Sequence, residues 1–216
     1  MVSEASPAGA AGAGPGVDAG LLVGVHGRAR CGWAGSTPDY AAYHDDEWGR
    51  PVHGETALFE RLTLEAFQSG LSWITILRKR EAFRAAFAGF DVDAVAAFGP
   101  GDEERLLADA GIVRNRAKIR AAVANAQAVV RLREEGGLDA LVWSHAPSPL
   151  PPRPVTLQDV PATTPGSVAL AASLRAAGFV FVGPTTAYAA MQACGLVDDH
   201  LEGCWVRPPA RPGDQP

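Results

Sequence analysis

GFVFVGPTTAYAAMQACGLVDDHLEGC, residues Gly178 to Cys204, is the stretch on which the reading of the fold turns. Its apolar approach ends in a tight Val182-Gly183-Pro184 turn, and Pro184 suits the first turn of a helix, where no backbone N–H is needed. A short turn feeding a helix leaves N–H groups free at the positive end of the dipole, where a phosphate oxygen can sit. The stretch closes on His200 and Cys204, which read as half of a metal site.

Outward from this stretch, the totals set bounds. The chain has 216 residues, a net charge of −5 and three cysteines. That length holds one ordinary domain or two small ones, with enough apolar content for a core. No apolar run reaches the roughly 20 residues of a spanning helix, and no secretory signal opens the chain, so a cytoplasmic protein without membrane contact is expected. Three cysteines there favour metal ligation over a disulfide framework. An acidic body excludes a broad DNA-coating surface and leaves room only for a local basic patch.

Residues 1–29 are rich in Ala and Gly with no helical period, and are expected to form a disordered tail. Thr37-Pro38 starts a helix to about Trp48, with Tyr40, His44 and Trp48 on one face. A second helix opens at Gly54-Glu55. Leu58, Leu62 and Ala66 recur every four residues, and Glu65 falls on the same inward stripe, a costly place for a carboxylate without a use. Leu71 to Leu77 starts a third helix, expected to end at Arg78-Lys79-Arg80. Short helices follow near Val92–Phe98 and Glu103–Ala110. The longest helix comes next, with Ile119, Val123 and Val130 inward and Gly136-Gly137 as its stop. Arg114, Arg116, Lys118 and Arg120 form the densest positive cluster, either a solvated face or a DNA contact. Residues 146–155 read as a Pro-rich loop, and Thr164-Pro165 caps a helix to about Ala177. No strand pattern emerges, so the expected architecture is all-helical, with a domain over 30–207 and a disordered tail over 208–216.

Cys31 and His44, twelve residues apart, are the candidates for the other half of the metal site. With His200 and Cys204 they make a Cys2His2 set that suits structural Zn2+ and would tie the two ends of the domain together. A buried thiol and a core histidine explain Cys31 and His44 equally well.

Several runs in order resemble 3-methyladenine DNA glycosylase I: Arg30-Cys31-Gly32-Trp33, Tyr43-His44-Asp45-Asp46-Glu47-Trp48-Gly49, Gly70-Leu71-Ser72-Trp73-Ile74, Gly111-Ile112-Val113-Arg114-Asn115, and Met191-Gln192-Ala193-Cys194-Gly195-Leu196-Val197. The resemblance implies the helix-hairpin-helix DNA glycosylase fold, two helical lobes with a base pocket between them. It puts Cys31, His44, His200 and Cys204 in zinc-ligand positions and makes Phe181 to Thr185 the DNA-gripping hairpin, with Val182, Gly183, Thr185 and Arg114 as DNA contacts. It places Glu65 as the base-recognising carboxylate and Trp33, Tyr43, Trp73 and Trp48 around the base. Ala66-Phe67 follow Glu65 where the family pattern leads us to expect Gly and Gln, which implies a reshaped pocket edge. Val197-Asp198-Asp199-His200 resembles the run that carries a catalytic aspartate in the wider superfamily, so Asp198 is a second carboxylate candidate, the alternative being a helix cap or a partner for His200.

The implied chemistry is base excision on double-stranded DNA containing alkylated adenine. The base is flipped into an aromatic pocket and free 3-methyladenine leaves as product; Leu71 is the candidate to fill the gap, the alternative being a core leucine. Thr185 stands where bifunctional relatives carry a Schiff-base lysine, which implies simple hydrolysis without strand cleavage; a monomer is expected. The rival readings are a non-catalytic binder of alkylated DNA with the same fold, and a zinc hydrolase, for which four protein ligands are one too many.

Overall fold

The computed structural model describes residues 20–24 and 27–209. Helix α2 (Glu55–Gln68) is its hub. Residues 62–67 of α2 are all buried, and the helix packs against five others: α3 (Trp73–Ala86), α4 (Val92–Ala96), α6 (Arg116–Leu132), α7 (Gly137–Trp143) and α9 (Pro184–Ala193). Leu58, Phe59, Leu64 and Phe67 are fully buried, and each contributes on the order of 1.5–3 kcal/mol by leaving water. Around this core run α1 (Pro38–Asp46), α5 (Pro100–Ala108) and α8 (Pro165–Ala176), the last packed against α9. Pro38, Pro100, Pro165 and Pro184 each sit in the first turn of their helix.

Four expectations need correction. The fold is mostly but not wholly helical: β1 (Leu21–Val23) pairs antiparallel with β2 (Ala29–Cys31), inside the segment expected to be a tail. Leu21 packs on a small cluster formed by Cys31, Leu201, Cys204 and Val206, and this burial orders the hairpin. Of the expected tails, residues 1–19, 25–26 and 210–216 lie outside the described residues. Second, α3 does not end at Arg78-Lys79-Arg80. Phe83 and Ala86 extend its buried stripe, so the three cations lie mid-helix. They are engaged there: Arg78 with Asp39, Arg80 with Glu47, and Lys79 with the carbonyls of Ala110 and Gly111.

Third, Gly136-Gly137 does more than stop α6. Gly136, at φ 101°, redirects the chain, and Gly137 begins α7, whose Leu138 and Val142 return to the core. Fourth, the positive cluster on α6 is not a patch. Lys118 turns inward, 7% exposed, and donates to the carbonyls of Phe67 and Ser69 at the end of α2, at 2.9 and 2.6 Å. Burial pulls its ammonium below the usual lysine range. Arg116 and Arg120 both pair with Glu103, so of these four cations Arg114 is the one left exposed with no partner among the described residues.

Candidate active site

Three successive elements build one wall of a cavity of about 360 Å³. A single 3₁₀ turn at Gly32–Gly35 presents Trp33, α1 brings Tyr40 and Tyr43, and Trp48 follows α1. Glu65 and Gln68 come from α2, and Trp73 from the first position of α3. The remaining lining is Leu157, Val160, Ala189 and Gln192 of α9, and Asp199. Trp33 meets Tyr40 and Trp48 edge to face, at 5.1 and 5.0 Å between ring centres. Tyr43 and Trp73 lie 5.4 Å apart, tilted by 40°. All four aromatics expected around a base therefore face one hollow, with Glu65 among them. Ala66 and Phe67 do not form the pocket edge; they are buried in the core, and Gln68 lines the cavity in their place.

Glu65 is 5% exposed and takes no hydrogen bond from any described residue. Burial pushes its carboxyl up to about 8, and the nearby Arg61 counters this only in part. Arg61 is itself committed elsewhere: it donates to Glu47 at 3.1 Å, and Arg80 grips the same carboxylate at 2.6 and 2.8 Å. Tyr43 Oη and Trp73 Nε1 are also buried without a partner. Proteins rarely leave buried donors unmatched, so these two, beside the unbonded Glu65 carboxyl, make the hollow a candidate site for a polar ligand.

Behind the cage lies a second constellation. Ligand atoms of Cys31, His44 and Cys204 lie within 4.8 Å of one another, and all three residues are 0% exposed. His44 Nε2 is 3.5 Å from Cys204 Sγ, while its Nδ1 is held by Asp45 at 2.9 Å. His200, also 0% exposed, repeats the pattern. Its Nδ1 is held by Asp198 at 2.8 Å, and its Nε2 is buried without a partner. The Cys31 thiol donates to Cys204, which lowers the Cys204 thiol well below its ordinary value. A carboxylate on each Nδ1 leaves His44 Nε2 facing Cys204 and His200 Nε2 unmatched, an arrangement that can orient histidines toward a metal, although His200 lies outside the three-residue group whose ligand atoms converge. The two regions share a wall: Trp33 packs on His44 at 5.2 Å and Trp48 on His200 at 4.7 Å.

The geometry also decides the role of Asp198. Burial would raise its carboxyl, but His200 and Arg153 outweigh this and hold it below the usual range. It does not line the cavity and instead pairs with His200 and Arg153. Its neighbour Asp199 does line the cavity, as do Tyr40, Gln68 and Gln192, none of which the sequence singled out. Tyr40 shared a helix face with His44 and Trp48, and that spacing was the available signal.

The expected DNA-contacting residues fall in two exposed turns and one free cation. Leu71, 40% exposed, stands on the turn after α2, where Gly70 adopts φ 80° and Lys118 fixes the preceding carbonyls. Gly183 caps α9 and Thr185 is exposed, whereas Val182 packs partly on the core. The approach to α9 is held by Asn125, which exchanges two hydrogen bonds with the backbone of Val180, at 2.8 and 3.2 Å.

A helical body enclosing an aromatic cage around a buried carboxyl is the architecture of a DNA glycosylase. Residues 33–207 match the methyladenine glycosylase family, and the chain belongs to it. It is 47% identical over 185 residues to DNA-3-methyladenine glycosylase 1 of Escherichia coli (strain K12), covering 85% of this chain and 99% of that protein. To the DNA-3-methyladenine glycosylase of Haemophilus influenzae it is 43% identical over 177 residues, covering 81% and 96%. Among solved structures, a 3-methyladenine DNA glycosylase I superposes with a TM-score of 0.80 at 46% identity, covering 83% of this chain and 100% of that one. The Staphylococcus aureus enzyme, solved for the basis of its 3-methyladenine recognition, superposes at 0.80 with 34% identity, covering 84% and 98%.

Proposed function

We propose that Glu65 reads an alkylated adenine flipped from duplex DNA into the aromatic cage, and that water then cleaves its N-glycosidic bond. The activity is that of a DNA-3-methyladenine glycosylase working in base-excision repair. The observation that carries this reading is Glu65 itself, a carboxyl buried on the apolar stripe of α2 among four aromatic rings. A neutral base gains little there. N3-methylation makes the base cationic, and a cation is attracted both by electron-rich ring faces and by the carboxylate. Its charge also draws the Glu65 carboxyl back down toward ionisation. Tyr43 Oη and Trp73 Nε1 supply hydrogen-bonding groups at the ring edges. The cationic base is already a good leaving group, so modest electrostatic help suffices for release.

Leu71 fills the gap left in the duplex, while the α8–turn–α9 pair, as a helix-hairpin-helix element, grips the phosphate backbone through its N-terminal amides. Arg114 adds a further phosphate contact. Strand cleavage needs a free amine in the site, and the chain's two lysines, Lys79 and Lys118, are both engaged on backbone carbonyls outside the cavity. Simple hydrolysis follows. Cys31, His44 and Cys204, whose ligand atoms lie within 4.8 Å of one another, with the oriented imidazole of His200 as the fourth, would suit Zn2+ as a soft-to-borderline donor set. Held there, the ion would supply no bond-breaking chemistry; it would tie the chain ends and stiffen the wall behind Trp33 and Trp48.

The test is release of free 3-methyladenine from methylated duplex DNA, with borohydride trapping in parallel. Base release without trapping is expected. Tight binding to methylated DNA with no release would instead mark a non-catalytic binder, and a trapped covalent complex would overturn simple hydrolysis.

A further inference from the structure

Glu65 is not the only carboxyl group on the cavity, and the other has a different setting. Asp199 lies on the wall contributed by α9 and the segment after it. Two donors from one face of α9 converge on a single oxygen. Tyr188 Oη donates to Asp199 Oδ2, and Gln192 Nε2 donates to the same atom at 2.7 Å. Tyr188 is 4% exposed, so its hydroxyl is anchored in the core, and Gln192 stands one helical turn further on. An aspartate held twice through Oδ2 cannot rotate freely, and that oxygen serves both donors as an acceptor. Its Oδ1 has no donor among the described residues.

Depth separates the two carboxyls. Glu65 is almost wholly buried, whereas Asp199 is half-buried. A flipped nucleotide enters base first, because its sugar stays tethered to the backbone on both sides. The deep group meets the base, and the shallower one meets the sugar.

We propose that Asp199 is a catalytic carboxylate that faces the deoxyribose. The inference rests on the glycosylase reading above and adds the groups that handle the water. In the step, the water oxygen bonds to C1′ while the C1′–N9 bond breaks. The bonding pair leaves with the base, which departs as neutral 3-methyladenine. The water's surplus proton passes to Asp199 Oδ1 and from there to solvent, leaving an abasic sugar. Before attack, the same carboxylate balances positive charge building on the sugar ring. Tyr188 and Gln192 are positioning residues that act through Asp199.

The experiment pairs single-turnover release of 3-methyladenine from methylated duplex with equilibrium binding of the free base, followed by tryptophan fluorescence. Asp199→Asn is expected to slow release by about 100-fold while free-base affinity stays within about threefold of the unsubstituted chain. Tyr188→Phe, which keeps the carboxylate and removes one of its donors, is expected to slow release by about tenfold. Added formate should restore part of the rate in Asp199→Ala and leave the unsubstituted chain unaffected, a response that a packing role would not give. If the unsubstituted chain releases no base, the glycosylase reading itself fails. If it does, and Asp199→Asn releases base at a comparable rate, only the present inference is overturned. A parallel loss of rate and free-base affinity in Asp199→Asn would assign the residue to the shape of the cage and overturn it as well. Should Asp199→Asn lose its thermal transition, Tyr188→Phe decides, and an unchanged rate in that variant refutes the role.

Discussion

The cage and the Cys/His cluster stand back to back, sharing Trp33 and Trp48, yet they treat buried polar groups differently. In the cluster each imidazole has its carboxylate, Asp45 or Asp198, and the two sulfurs share a proton. In the cage Glu65, Tyr43 Oη and Trp73 Nε1 are unmatched by the protein. In the cluster one buried atom, His200 Nε2, stays unmatched among oriented donors that suit an ion, whereas in the cage the unmatched groups are a carboxyl and two ring-edge donors that suit a flipped base.

Removing a sulfur tests this division most severely. Cys204→Ser should lose bound zinc by elemental analysis and lower Tm by about 10 °C or more, since a closed metal site contributes directly to folding. A variant with full thermal stability and no zinc would dissolve the contrast. On the other side, Glu65→Gln should cut base release by about 100-fold or more with zinc content unchanged. Its stability should move the other way. Because burial lifts Glu65 to about 8, the folded chain keeps a proton that the unfolded chain gives up above about 4.5. Stability therefore falls as pH rises between those values. Glu65→Gln should match the unsubstituted chain near pH 5 and melt about 5 °C higher near pH 8. Equal melting at both values would mean that Glu65 is not desolvated. For the same reason, base release should rise with pH up to that region, as the carboxylate form gains population.

Two smaller effects refine the boundary between the regions. Asp198→Asn should weaken zinc affinity by roughly tenfold to a hundredfold, read by competition with a chelator, while base release at saturating zinc changes little. A large loss of release under those conditions would return Asp198 to the cage. Arg114→Ala should weaken DNA binding almost uniformly across sequences and reduce the salt dependence by about one counterion. An unchanged salt slope would remove Arg114 from the interface.

Much of this was legible in the chain because periodicity and chemistry pointed the same way. The four-residue repeat of Leu58, Leu62 and Ala66 placed Glu65 inward, and Pro184 marked the start of α9 to the residue. The resemblance supplied the aromatic set, which the structure gathers around one hollow. What escaped was decided by tertiary contacts. Three-residue strands carry too little alternation to be seen, and β1 exists because Leu21 finds the cluster around Cys31 and Cys204. Lys118 reads as surface charge until the end of α2 is placed over it. The adjacent aspartates were legible only in part: a partner for His200 was one reading of Asp198, and nothing pointed to Asp199. Asp198 and Asp199 differ by one position and diverge in space, one toward His200 and the other toward α9 and the cavity.

The burial of sulfur has a meaning of its own for a protein of this trade. Lesions of the kind it removes are made by small electrophiles, and a thiolate is the softest target a protein can offer them. All three cysteines are buried, and Cys31 and Cys204 lie at zero exposure in the apolar cluster that Leu21, Trp33 and Trp205 help to close. The agent that creates the substrate thus meets no cysteine sulfur on the described surface of the enzyme.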